Sequence, residues 1–189
     1  MPKQVDPAAR RAAIGDAVVD IAAEHGFAAV TIRAVARRAG ASTSVVTHYV
    51  AGRDDLLRQA VRREVDARRE HAERVLAGRT GADGLRTLAD WAVHAPGERA
   101  QRFWLALVMA APAEPVLRAE LDRFTTWWDA RVRALVAEAG LADPGLAADL
   151  LDVAVDGLIT ARFEGTAAWS ARRSRRVLAA VLAAAGLSR

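Results

Sequence analysis

The sequence has no cysteine, a single lysine (Lys3) and a single tyrosine (Tyr49) among its 189 residues. Without cysteine there are no disulfides and no thiolate metal ligands. No apolar run approaches the roughly 18 to 20 residues that cross a bilayer. The start, Met1–Arg11, is polar and charged, unlike a signal peptide. A cytoplasmic protein without a membrane partner is the expectation. Histidine is sparse: His25, His48, His71 and His94 are scattered, with no metal-ligand spacing such as HExxH. There is no phosphate-binding glycine loop and no nucleophile elbow. Nothing therefore supports an enzyme, and neither a metal nor a cofactor is expected. Nor is there an alternating β-branched run long enough for a strand.

What is present is helical text. Hydrophobic residues make up 52% of the chain, enough for a sizeable core, and Ala, Leu and Arg favour helix. The net charge of +4 is unevenly spread, with 14 basic and 10 acidic residues in 1–80 against 13 of each in 81–189. A locally basic head suits a phosphate-binding surface. A chain that places arginine on every surface would look similar.

The punctuation divides the chain into about nine helices. Asp6-Pro7 combines an N-cap with proline at the first helical position, and Gly26 ends that helix. Thr31 caps a second helix over Ile32–Ala39, Gly40 breaks it, and Ser42 caps a third running to about Tyr49. Asp54 and Asp55 suit the first turn of a long fourth helix ending near Ala77. Its surface is dense in charge, with Arg62, Arg63, Glu64, Arg68, Arg69 and Glu70. Gly78–Gly84 reads as a linker. Helices follow near 84–95, 98–111, 115–139, 144–165 and 171–186. The fold class is all-α: a three-helix head over residues 1–52 and a helical bundle over 53–189.

Residues 31–50, TIRAVARRAGASTSVVTHYV, carry the functional signal. Ala36 is small where two helices cross, Gly40 fits a turn needing positive φ, and Val46 lets the second helix pack back on the first. Small, glycine and apolar residues at these offsets form a helix-turn-helix. The second helix then presents Thr43, Ser44, Thr47 and His48, short polar side chains able to reach base edges and phosphates. An ordinary helical hairpin with a solvated face is the alternative.

The helix ending at Gly26-Phe27, then Thr31-Ile32, Ala39-Gly40-Ala41-Ser42, His48-Tyr49-Val50 and Arg53-Asp54-Asp55-Leu56-Leu57 together resemble the DNA-binding head of the TetR family of bacterial repressors. The match covers about residues 8–60. It implies that Thr31 holds a phosphate at a helix N-terminus. Arg33 joins the DNA-facing set. Ser42, Thr43 and Ser44 would meet the backbone and the major-groove edges. Thr47, His48 and Tyr49 would face DNA, and Arg53 would clamp a phosphate. Thr47 stands where the family usually has tyrosine, Ser44 where glycine is common, and Val50 lacks the usual aromatic.

The resemblance further implies a ligand-responsive regulator, a repressor released from a palindromic double-stranded operator by a small molecule. The alternative is a helical small-molecule-binding or partner-binding protein without DNA activity. Residues 102–110, Trp127-Trp128 and Asp156-Gly157-Leu158 are similar to the subgroup of choline-responsive betaine regulators, a likeness that does not extend to the ligand. Candidate effector contacts are Trp91, Phe103, Trp104, Leu107, Phe124, Trp127 and Trp128, with His94, Asp152 and Asp156 as polar groups. Core packing would account for most of these aromatics. A largely apolar pocket with acidic residues suits an apolar or cationic effector. The family also implies a homodimer through its last two helices. Leu150, Ala154, Gly157, Leu158 and Ala161 would supply one stripe and Val177, Leu178, Val181 and Leu182 the other. Packing within one subunit would use the same stripes.

Overall fold

The computed structural model describes residues 6–163 and 169–187. Among these, regular structure is helical throughout: α1 (Pro7–His25), a 3₁₀ turn (Phe27–Ala29), α2 (Ile32–Arg38), α3 (Thr43–Tyr49), α4 (Arg53–Leu76), α5 (Gly81–His94), α6 (Glu98–Ala110), α7 (Pro115–Ala139), α8 (Pro144–Ala161) and α9 (Ala171–Ala184). The chain divides into two compact units. One holds the residues up to Ala67 together with Glu98–Phe124, and the other Arg68–Gly97 with the residues from Thr125 onward. Helices α4 and α7 contribute residues to each.

In the first unit, α1 starts where the Asp6 carboxylate accepts from the Ala8 amide at 3.0 Å and Pro7 occupies the first turn. It buries Ile14, Ala17, Val18, Ile21 and Ala22, a helical stripe, against α2 and α6. The 3₁₀ turn was not evident in the sequence. It exists because Phe27 leaves the end of α1 and enters the core, its ring 5.5 Å from that of Phe103 on α6.

In the second unit, α8 packs on α9, and both pack on α5. Here the expected linker is shorter than read, because Gly81 and Gly84 are helical. Gly81 has φ +49, and a Cβ there would meet the Glu138 backbone at 3.3 Å. Its N–H donates to the Glu138 carboxylate at 2.9 Å. At Gly84 a Cβ would lie 2.5 Å from Leu135 Cδ2. These glycines let α5 approach α7 closely and do not mark flexible chain. The α8 helix ends at Ala161 rather than near 165, and residues 164 and 165 lie outside the described residues.

Candidate DNA-binding and sensing sites

The helix-turn-helix is built from two capped seven-residue helices, too short to persist alone in water. Thr31 Oγ1 accepts from the Ala34 amide at 3.1 Å, and Ser42 Oγ from the Val45 amide at 3.3 Å. Between them Gly40 has φ +60, and the Ala41 amide donates to the Ala36 carbonyl at 2.9 Å. Val35, Ala36 and Val46 are buried at the crossing, as the spacing predicts.

This packing fixes what α3 exposes. Ser42, Thr43, Ser44, Thr47 and His48 are all exposed, as are Thr31 and Arg33 at the start of α2. Two hydroxyls are already oriented: Ser42 and Ser44 Oγ lie 2.8 Å apart, and Thr47 Oγ1 donates to the Ser44 carbonyl at 3.2 Å. Tyr49 is half-buried, with the Arg11 guanidinium 5.2 Å above its ring and His48 edge-on at 5.2 Å. Val50, where the family's aromatic is missing, is buried.

Arg53, which the resemblance casts as a phosphate clamp, is anchored within the head. Its Nε donates to the Val30 carbonyl and its Nη2 to the Phe27 carbonyl, each at 2.9 Å. Both Nη groups reach Glu114, at 2.7 and 3.2 Å. The guanidinium thus joins the first residue of the 3₁₀ turn, the residue that follows that turn and the residue before α7. The pairing of Arg53 with Phe27 and Glu114 was not legible in the sequence, because partners 26 and 61 positions away leave no local spacing.

The predicted effector residues fall into both compact units. In the first, Phe103, Trp104, Leu107 and Phe124 are buried, Trp104 edge-on to Phe124 with centroids 4.5 Å apart. The second unit holds the rest. The Trp127 indole N–H donates to Glu73 at 2.9 Å, and that of Trp128 to Asp152 at 2.7 Å. His94 is held at both ring nitrogens, Nδ1 2.9 Å from Asp90 and Nε2 3.0 Å from Ser174, which makes it a tie between α5 and α9. Burial raises the pKa of Asp152, against the Trp128 hydrogen bond, and burial together with Asp152 raises that of Asp156.

The charged face of α4, read as surface, is only partly so. Arg68 is enclosed: desolvation lowers its pKa to about 10, with Asp156 opposing. Its guanidinium stands 5.1 Å from the Trp91 ring. A groove of about 560 Å³ runs along α7 and α8 past Asp129, Arg133, Asp149 and Asp152. Of the predicted effector residues it includes Asp152 alone.

On the expected pairing stripe, Leu158, Ala161, Leu178 and Leu182 are buried by their own subunit. Leu150, Ala154, Val177 and Val181 are half-buried and Gly157 is exposed. The largest outward apolar side chains of α8 are Leu146, 54% exposed, and Val153, 74% exposed. Val153 lies outside the pairing stripe expected from the sequence.

Residues 14–60 match the family model described as bacterial regulatory proteins, tetR family. The HTH-type transcriptional regulator BetI of Burkholderia mallei (strain NCTC 10229) is 33% identical over 133 residues, covering 67% of this chain. The match spans 66% of that relative's length. A Rhodococcus transcriptional regulator superposes with a TM-score of 0.82 at 23% identity, over 92% of this chain and 94% of its own. A transcriptional regulator from Saccharomonospora viridis, solved in complex with choline, gives 0.83 at 20% identity, over 93% and 96%. With its capped helix-turn-helix, its matched head and these relatives, the chain belongs to the TetR family of bacterial regulatory proteins.

Proposed function

We propose that the protein is a homodimeric, ligand-responsive DNA-binding transcriptional regulator, a repressor that leaves a palindromic operator when a small molecule binds. The observation that carries this reading is the exposed face of α3, where Thr43, Ser44, Thr47 and His48 project from a helix whose other side is locked into the head. Short polar side chains on a helix of this geometry fit the major groove. Thr31 and Arg33, exposed at the start of α2, fit the flanking phosphate backbone. Arg53 supports the reading indirectly, as a positioning residue that holds α2 through the Val30 carbonyl.

Release follows from linkage. A ligand that binds better to a state with misplaced heads lowers operator affinity by that difference in binding energy. Helix α4 runs unbroken from the head unit into the second unit, which suits it to carry the change. Two α3 helices about 34–36 Å apart read one face of DNA, so a dimer and an inverted-repeat operator belong together. The name of the BetI relatives and the choline complex of a structural neighbour support an effector that is a small organic molecule, apolar or cationic.

The test is a fluorescence-anisotropy titration of the DNA flanking the protein's own gene, at several salt concentrations. A sequence-selective complex in the range of about 10⁻⁸ to 10⁻¹¹ M, weakening as salt rises, is expected. Binding that is equal for all DNA fragments, or absent, would overturn the reading.

A further inference from the structure

The head contains a cleft that its own side chains leave unfilled. The cleft has a volume of about 390 Å³ and lies between α1, the end of α3 and α4. Ala8, Ala12 and Gly15 face it from α1, at spacings that share one helical side, and Ala60 faces it from α4. These short residues leave room where longer ones would meet. Val50 forms part of the floor, buried, at the position where the family carries an aromatic. An apolar cavity of about 150 Å³ is enough for a benzene ring, so this cleft has room for a ring and a substituent.

Most of the polar groups around it are committed. Arg63 lies against Gly15, where a Cβ would come within 2.7 Å of its guanidinium. It donates to Asp16 at 2.6 Å, to Glu64 at 3.0 Å and to the Ala12 carbonyl at 3.2 Å. Gln59 donates to Asp55 at 3.0 Å and to the Tyr49 carbonyl at 3.4 Å. Arg11 differs. Its guanidinium stands 5.2 Å above the Tyr49 ring, and no carboxylate among the described residues pairs with it. The cleft therefore joins an apolar floor of Ile14, Val50, Leu56 and Ala60 to one cation at its exposed edge.

We propose that this cleft is a small-molecule site in the head, and that its ligand is a compact aromatic or other apolar body carrying one anionic group. The body occupies the space that the absent aromatic side chain leaves beside Val50. The anion faces Arg11, and a carboxylate can pair with a guanidinium through two parallel hydrogen bonds. A cationic ligand would meet Arg11 as a like charge. The binding does not rest on the regulatory reading. Because Tyr49 and Val50 close α3, a ligand here touches the proposed recognition helix itself.

Tyr49 is the single tyrosine, so isotope-labelled tyrosine gives a magnetic-resonance reporter at the cleft alone. The probes are cinnamate, cinnamyl alcohol and cinnamylammonium, added to the full-length protein. Cinnamate should shift the Tyr49 ring signals and raise Tm. The alcohol should bind about threefold more weakly and the ammonium about tenfold, the modest gaps of an exposed ion pair. Both gaps should narrow in about 1 M salt. Arg11→Met should bind cinnamate and the alcohol equally. Val50→Phe puts a ring into the space, and should lose at least about tenfold for all three probes while melting at or above the parent's temperature. Should Val50→Phe fail to fold, Arg11→Met, at an exposed position, still decides the charge preference.

The proposal is overturned if cinnamate leaves the Tyr49 signals in place, if the three probes bind alike, if Arg11→Met keeps the preference for the anion, or if a folded Val50→Phe binds cinnamate as the parent does. Nuclear Overhauser contacts from the Tyr49 ring to residues 1–5, or to a second copy, that persist in saturating cinnamate would mean that protein fills the cleft, and also overturn it. Operator titration in parallel keeps the two readings apart. Cinnamate binding without operator binding refutes the regulator alone, whereas operator binding with silent Tyr49 signals refutes the head site alone.

Discussion

Glu120 illustrates how one side chain can govern a response to acid. It is 2% exposed, and its carboxylate accepts from Arg62 at 2.7 Å and from Arg123 at 2.7 Å. Burial by itself would raise its pKa. The two guanidiniums outweigh burial and hold the carboxyl below the ordinary glutamate range. A carboxylate whose folded pKa is depressed contributes stability above its unfolded pKa and loses it as pH falls through the folded value. Glu120→Gln should therefore lower Tm at pH 7 by about 4–8 °C, equivalent to about 2 kcal/mol in a chain of this size. Its melting curve should also decline less steeply below about pH 4.5 than the parent's. Equal acid slopes in a thermal melt series would refute that role. Asp152 runs the other way. Its raised pKa means that its charged form is disfavoured in the fold, so stability falls as pH rises through that raised value. Asp152→Asn keeps an acceptor for the Trp128 indole and removes the repulsion, and should raise Tm at pH 7.

Among the elements, the short helices α2 and α3 depend on what surrounds them, and Arg53 is the clearest case. If its guanidinium serves inside the head, Arg53→Lys loses the fork that joins two carbonyls and Glu114. Operator affinity should then fall about tenfold while the slope of log affinity against log salt stays unchanged. A phosphate contact would instead reduce that slope by about one. The measurement is one titration series in two proteins. The same contrast explains what could be read in advance. Caps, turn and crossing, at Thr31, Ser42, Gly40, Ala36 and Val46, obey local rules and stand where the spacing puts them. Arg53 with Glu114, Gly84 with Leu135, and Trp91 with Arg68 are pairings between distant segments, invisible to periodicity. Gly81 and Gly84 looked like a linker for that reason, since a glycine that admits a neighbouring helix and one that loosens a loop are the same letter.

For the whole molecule, the proposed homodimer makes the outward face of α8 the candidate pairing surface. Leu146, Leu150 and Val153 lie four and seven positions apart, on one helical side, and are incompletely covered by their own subunit. Val153→Glu should leave the fold and Tm of the single subunit intact. It should also convert the protein to a monomer in sedimentation and weaken operator binding by at least a hundredfold, because each half-site must then be bound alone. A dimer that survives the substitution would place the partner on another face. The two-sidedness of α3 has a last consequence, for protein engineering. Val46 anchors the helix from one side, whereas Thr43, Ser44, Thr47 and His48 look outward from the other. On the proposed reading, folding and operator recognition are thus written in separate letters. A library randomised at those four positions should melt like the parent while recognising new operators, so the head can serve as a reprogrammable address label.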